Sequence, residues 1–313
     1  MTTSFLFTGQ GAQSVGMGKD LYDKYDVAKT VFKEVESVVG FPLKRIMFEG
    51  PEEKLKQTNY AQVALMTVGM AVVRVLEEKK EKPLWEMGVF CAGHSLGEYT
   101  ALCAAGALTL QQTALLLKAR GEAFLKCAGH YPGGMLAVLG MEKDALQHVL
   151  NQATGTSQVV CVIANDNADG QIVVSGEEKV LDMVKMMATM AGAKRAIMLP
   201  LSGAFHSPLM QDAAVELKDL ILGADMQVPK IPVISNVTAL PESNPDVIKE
   251  LLVKQITSPV LWRDSMMYLK NQGVDTLVEC GGKVLTGMNK RTLPLLTHIS
   301  LEKGDEEYFS LKP

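Results

Sequence analysis

The stretch 87–108, MGVFCAGHSLGEYTALCAAGAL, decides how the chain is read. A short apolar run, Val89 to Ala92, meets the pentapeptide Gly93-His94-Ser95-Leu96-Gly97 and then a segment rich in Ala and Leu. This is the grammar of strand, tight turn and closely packed helix. A G-x-S-x-G there forms a nucleophile elbow. Small flanking residues permit the sharp turn, and the serine projects from the strand's carboxyl end over a helix amino terminus, where negative charge is favoured. The bland alternative is that glycines and serine merely build a tight strand-to-helix turn.

The amino terminus repeats the pattern, with SFLFT (4–8) stopped by glycines and a helix expected from about Lys19. Two such units predict a parallel sheet covered by helices. Between 133 and 200 the apolar stretches MLAVLG, KDALQHVLNQAT, VVCVIAN, GQIVVSG, KVLDMVKMMATMAG and KRAIMLPL follow in order. They read as β-α-β-β-α-β, the ferredoxin-like pattern, with NDNADG (165–170) supplying turn residues between the two middle strands. The expected fold is therefore α/β: a hydrolase-like parallel-sheet large domain, residues 1–132 and 201–313, carrying an inserted ferredoxin-like small domain, residues 133–200. Beyond 201, IPVISNV and VDTLVEC read as strands, with helices near 246–254 and 263–272.

With 313 residues, 47% hydrophobic and 21% charged, the chain has the makings of one large domain or two modest ones. A formal charge of -4 argues against nucleic acid or an anionic membrane as the main partner. No run approaches eighteen or so uninterrupted apolar residues, and MTTSFLFTGQG resembles neither a signal nor a transit peptide. The expected setting is the cytoplasm, or an organelle matrix. The five cysteines are scattered, with no C-x-x-C and no His at ligand spacing, so buried thiols and no metal are expected.

A serine hydroxyl is a weak nucleophile and needs a base within hydrogen-bond reach. Of the five histidines, His94 would point away from its neighbour Ser95, His148 lies on an amphipathic helix, His298 in a late strand and His130 at a domain junction. His206, in LPLSGAFHSPLM, follows a strand and precedes a proline suited to a helix start, and loops after strands gather at the carboxyl edge of an α/β sheet. It is the best base; a loop histidine bonded locally is the alternative. An α/β-hydrolase would place an acid between Ser and His and its His near the carboxyl terminus, whereas roughly a third of this chain follows His206. A Ser-His dyad oriented by something other than Asp fits better. The glycine-rich loop TGQGAQSVGMGKD (8–20) fails both nucleotide-binding patterns, since Ser14 stands where a third glycine belongs and no P-loop can be drawn through Lys19. Its backbone N–H groups are instead candidates for an oxyanion hole beside the N–H of Leu96.

Together FTGQGAQSVGMG, AGHSLGEY, ARGEAF, SGAFHSPLM, ISNVTA, QITSPVLW and GGKVLTGMNKR, in order over nearly the whole chain, resemble the malonyl-CoA:acyl carrier protein transacylases of fatty acid and polyketide synthesis. The resemblance implies that Ser95 takes the acyl group from coenzyme A in a ping-pong cycle, with His206 as general base and then acid. It implies that a main-chain carbonyl near Gln255 orients His206, which accounts for the missing acid. The N–H groups of Gln10 and Leu96 would form the oxyanion hole. Arg120 would grip the malonyl carboxylate; a guanidinium can do so through two parallel hydrogen bonds, and its apolar surroundings in ALLLKARGEAF make an unpaired charge costly. Phe205 would narrow the pocket against an α-methyl branch, and Asn165 would face the cleft from the small domain. No cofactor is implied beyond the coenzyme A thioester substrate.

The chain departs from the family pattern at Thr8, at Phe124 and Leu125 after the arginine, and at Gly281-Gly282. Phe124 bears on extender choice. The partners implied are malonyl-CoA and an acidic acyl carrier protein, met by a basic patch drawn from Lys194, Arg195, Lys283, Lys290 and Arg291, with a monomer as the expected state. Three other readings stay open: a trans-acting polyketide acyltransferase with another extender preference, a hydrolase of stalled carrier-bound acyl groups, and a catalytically silent binding module.

Overall fold

The computed structural model describes residues 1–201 and 203–302; Ser202 of the SGAFHSPLM motif and residues 303–313 lie outside the described residues. Along the chain the strands are β1 (Thr3–Phe7), β2 (Phe90–Gly93), β3 (Gly133–Leu139), β4 (Cys161–Ala168), β5 (Gln171–Glu177), β6 (Arg195–Met198), β7 (Val233–Ile234), β8 (Pro241–Glu242), β9 (Thr276–Cys280) and β10 (Thr297–Leu301). They form two sheets. The larger has the order β10-β9-β1-β2-β7-β8 and is parallel except where β8 turns back on β7. Its central strands are short apolar runs buried on both faces, as a helix-covered parallel sheet requires. One face packs on a large core that includes Phe5, Phe7, Val72 and Leu102, and the other on Leu6, Ala92, Ile234, Trp262 and Leu277.

The second sheet, β4-β5-β3-β6, is antiparallel throughout. This is the ferredoxin-like arrangement, in which each helical connection joins strands separated by one intervening strand. The helices Lys143–Thr154 and Glu178–Met190 bury Leu146, Val149, Leu150, Leu181 and Val184 against Leu136, Val138 and Val174, giving this sheet a core of its own.

The helix Thr58–Lys80 is apolar nearly all round, and it lies under the sheet with Val63 to Val73 almost continuously buried. Among the described residues it alone has the length and composition of a membrane span, but 83% of that window is buried inside the protein. Its hydrophobicity goes into the core, where each buried Val, Leu or Met contributes about 1.5–3 kcal/mol.

Three local expectations need correction. The NDNADG hairpin turns only at Asp169-Gly170; Asn165, Asp166 and Asn167 belong to β4, which accommodates them through irregularities in its pairing with β5. Asp166 and Asn167 bond across to the large sheet's elements, and Asn165 pairs alongside Val260. The backbone of β4 meets the segment before the Trp262–Asn271 helix through Val260 N–H to Ala164 O (2.8 Å) and Asp166 N–H to Val260 O (3.0 Å). Asp166 also accepts from Arg263 at 3.0 Å and pairs with Lys143 at 3.2 Å. The strand in IPVISNV shrinks to Val233–Ile234, because Ser235 closes a local turn with Leu240 and Asn236 bonds to Glu98 and Ser95. The strand that precedes His206, β6, belongs to the antiparallel sheet, so the carboxyl edge of the parallel sheet does not explain where His206 lies.

Candidate active site

Ser95 caps the helix Leu96–Ala104 directly after β2, at φ 54 and ψ -110. A non-glycine residue held there costs of order 1–3 kcal/mol and persists only where its surroundings dictate it. The surroundings here are backbone. A Cβ on Gly93 would lie 1.9 Å from the Gly97 carbonyl oxygen, and one on Gly97 would lie 2.2 Å from the Phe7 carbonyl oxygen. Only glycine at both positions lets β2 turn into the helix so closely.

The strained turn aims Ser95 Oγ at His206 Nε2, 2.8 Å away. His206 Nδ1 donates to the main-chain oxygen of Gln255 at 2.9 Å. That carbonyl can only accept, so the proton sits on Nδ1 and Nε2 is left as the basic nitrogen facing the serine. Burial first, and then the nearby Arg120 charge, lowers the His206 pKa to about 3, so the ring is neutral at physiological pH. His94 turns away from Ser95: its Nε2 donates to Asn167 Oδ1 at 2.8 Å and its ring packs on Trp262.

Arg120 is 2% exposed on the Leu110–His130 helix. Its Nη1 donates to Gln62 Oε1 at 2.8 Å, and its Nη2 to Ser95 Oγ at 3.0 Å and Gln255 Oε1 at 3.1 Å. All these partners are neutral, and its Nε has none among the described residues. The guanidinium lies over the Phe124 ring at 4.3 Å, and Phe124 in turn packs on Phe205 at 5.0 Å. Phe124, a departure from the family pattern, is thus the plate on which the cation rests.

These residues line a cleft of about 220 Å³ between the two sheets. Gln10 and Leu96 border it, and among the described residues neither of their N–H groups has an acceptor. Asn165 and Phe205 also border it, with Val284, Leu285 and Met288 closing the opposite wall. Of the basic residues named above, Lys290 and Arg291 are exposed on the Val284–Thr292 helix that provides that wall, Lys283 pairs with Glu302, and Lys194 and Arg195 stand exposed at the start of β6. Among the described residues no group of three or more His, Cys, Asp or Glu is arranged to hold a metal.

A serine, a correctly oriented neutral imidazole and an unpaired buried cation are the parts of an acyl-transfer site. The family model for the acyl transferase domain matches residues 4–292. The chain belongs to the acyl transferase family. The malonyl CoA-acyl carrier protein transacylase of Bacillus subtilis (strain 168) is 42% identical to it over 289 residues, 92% of this chain and 89% of that protein. The crystal structure of the acyl-carrier-protein-S-malonyltransferase from Bartonella henselae has a TM-score of 0.95 at 40% identity, covering 99% of this chain and 100% of that one. A type II PKS acyl-carrier protein in complex with its malonyl-transacylase matches with a TM-score of 0.94 at 31% identity over 99% of each chain.

Three residues of this acyl transferase site escaped the sequence reading. Gln62 is a polar side chain in the otherwise apolar run of the Thr58–Lys80 helix, a signal that was available. Asn236, in ISNVTA, accepts the Ser95 N–H at 2.7 Å and donates to Gly93 O at 2.7 Å. Glu98, one residue beyond the elbow, is 3% exposed and accepts from Gln255 Nε2 at 2.7 Å.

Proposed function

We propose that this acyltransferase moves the malonyl group of malonyl-CoA to the phosphopantetheine thiol of an acyl carrier protein through a malonyl-Ser95 ester. The observation that carries this reading is Arg120. It is a buried cation that no carboxylate contacts directly among the described residues, its Nε is unpartnered, and its Nη2 touches the nucleophile, while Glu98 meets it only through the intervening Gln255. A buried, uncompensated charge is costly, and a carboxylate on the acyl group would relieve it. Nε and Nη2 share one edge of the guanidinium, the edge that takes a carboxylate through two parallel bonds.

In the first half-reaction Ser95 Oγ attacks the thioester carbon as its proton passes to His206 Nε2. The carbonyl oxygen, now an anion, takes hydrogen bonds from the Gln10 and Leu96 N–H groups. Collapse breaks the carbon–sulfur bond, and the leaving coenzyme A thiolate takes the proton from His206. In the second half the carrier's thiol gives its proton to His206, its sulfur attacks the ester, and Ser95 Oγ leaves and recovers the proton. The imidazolium of each half is stabilised by the Gln255 carbonyl in place of an acid. No metal and no redox cofactor enters. Phe205 and Phe124 narrow the acyl pocket, and Asn165 contributes to its far wall. Every group used comes from one chain, which supports action as a monomer. The exposed Lys290 and Arg291 beside the cleft suit an acidic carrier, and the cytoplasm is the setting that fits a pathway serving such a carrier.

The test follows intact mass after mixing with malonyl-CoA, and again after adding carrier protein. One malonyl group on Ser95, discharged by carrier much faster than by water, is expected; rapid discharge by water favours the hydrolase instead. Equal labelling by acetyl-CoA would remove Arg120 from its role.

A further inference from the structure

A serine at a helix start with a glutamate three residues on has the spacing of a capping box, in which each side chain bonds the other residue's N–H. Ser95 and Glu98 have that spacing and leave the box open. The Ser95 hydroxyl makes no cap bond, and its N–H goes to Asn236 Oδ1. Glu98 turns inward, where its Oε2 accepts from Gln255 Nε2 at 2.7 Å and from the Asn236 N–H at 3.1 Å. Both partners hold catalytic geometry. Gln255 presents its main-chain oxygen to His206 and its side-chain oxygen to Arg120, and its Nε2 also reaches Ser95 O at 3.0 Å. Asn236 takes the Ser95 N–H. Two donors converge on the one oxygen Oε2, and an ionised carboxylate accepts them through stronger, charge-assisted bonds than a neutral one.

We propose that Glu98, in its ionised form, is a positioning residue for acyl transfer, holding Gln255 and Asn236 so that His206, Arg120 and the Ser95 backbone keep their mutual geometry. The inference rests on the acyl-transfer reading above.

Its consequence appears in pH dependence. Titratable groups near Glu98 include Arg120 on the Leu110–His130 helix, Cys91 on β2, Glu242 on β8, His206, and Tyr99 beside it; the Pro245–Gln255 helix meets it through Ile248 and Leu251, and Arg74, Glu34 and Glu77 lie by Cys103, at the far end of its helix. Of these, Arg120 acts on the Glu98 charge, favouring the ionised form, as do the bonds from Gln255 and Asn236. Burial outweighs them and raises the Glu98 carboxyl to about 7. His206, lowered to about 3, is already neutral throughout that range. A limb in the rate profile near neutrality therefore belongs to Glu98, although a histidine base would ordinarily be credited with it.

The experiment measures kcat/KM for malonyl transfer from about pH 5 to about pH 9 in the wild type and in Glu98→Gln. Wild-type activity is expected to rise through a limb near 7. The variant is expected to lose the limb and to run about 10- to 100-fold below the wild-type plateau. A limb that persists in the variant, or a variant equal to wild type at every pH, overturns the proposal. If Glu98→Gln does not fold, a carboxyl NMR titration of glutamate-labelled wild type decides. A glutamate titrating near neutrality and shifting when Ser95 is acylated is expected. The proposal falls if no such carboxyl exists, or if the one found, as buried Glu279 could be, ignores acylation. Absence of any malonyl adduct on wild-type Ser95 would instead sink the acyl-transfer reading itself.

Discussion

Arg120 Nη2 donates to Ser95 Oγ at 3.0 Å, so the cation available to an acid group also touches the nucleophile. Before acylation the guanidinium favours negative charge on the serine oxygen. On the acyl-transfer reading, an ester oxygen at Ser95 would accept poorly and free Nη2 to join the unpartnered Nε as a two-toothed site. On that reading, loading and recognition share one hydrogen bond.

Replacing Arg120 by Ala is expected to lower malonyl loading of Ser95 by about 100-fold, as the loss of charge-assisted bonds to a carboxylate requires, with acetyl loading lowered less, because there only the bond to Ser95 Oγ is lost. Arg120→Lys should recover little, because an ammonium cannot present two parallel donors. Competition between malonyl-CoA and acetyl-CoA, read by intact mass, checks both.

Phe124 and Phe205, with ring centroids 5.0 Å apart, form a wall that a methyl branch on the acyl chain would meet. Phe205→Ala is expected to improve loading of methylmalonyl-CoA relative to malonyl-CoA by about 10-fold or more, the range that one methyl group commands in an apolar pocket. Phe124→Met should instead weaken malonyl loading slightly, since the ring beneath Arg120 contributes about 0.5–2 kcal/mol to holding a desolvated cation.

Glu98 and His206 oppose one another in the pH dependence of stability. Glu98 is raised from 4.5 to about 7, so its contribution is fully present below 4.5 and is lost as pH rises through 7. His206 is lowered from 6.5 to about 3, so its contribution is full above 6.5 and is lost as pH falls toward 3. Between 4.5 and 6.5 the two slopes cancel. In Glu98→Gln stability should fall with falling pH across that window, and in His206→Asn it should fall with rising pH, each by up to about 1.4 kcal/mol per pH unit. Urea denaturation at several pH values reads the slopes.

Gly97→Ala is expected to destabilise the protein by about 3 kcal/mol or more and to abolish Ser95 labelling, because the added methyl meets the Phe7 carbonyl rather than a side chain that could move. Denaturation and a serine-directed fluorophosphonate probe measure the two losses together.

The elbow and both sheets were legible because each rests on local pattern: apolar runs of strand length, glycines where backbones touch, and a helix-strand order that few topologies share. The structure does bring His206 to Ser95, but the ground on which it was singled out fails, since β6 belongs to the other sheet. The helix-strand order already placed that strand in the small domain, and the carboxyl-edge rule for parallel sheets was applied to it regardless. Gln62, Asn236 and Glu98 were missed for a different reason. Each is one polar residue whose importance lies in a bond to something far along the chain: 141 positions separate Ser95 and Asn236, and 157 separate Glu98 and Gln255. The turn-like NDNADG misled because Asn and Asp suit hairpins in general, whereas here they are consumed by bonds to His94 and Arg263.

Those bonds have a mechanical meaning. The small sheet is stitched to the large one through backbone at Val260 and through side chains at Asp166 and Asn167, on the very strand that borders the cleft. The two sheets thereby form one bonded frame around the cleft. On the acyl-transfer reading, both thiol carriers would reach Ser95 through the one cleft that this stitched frame borders.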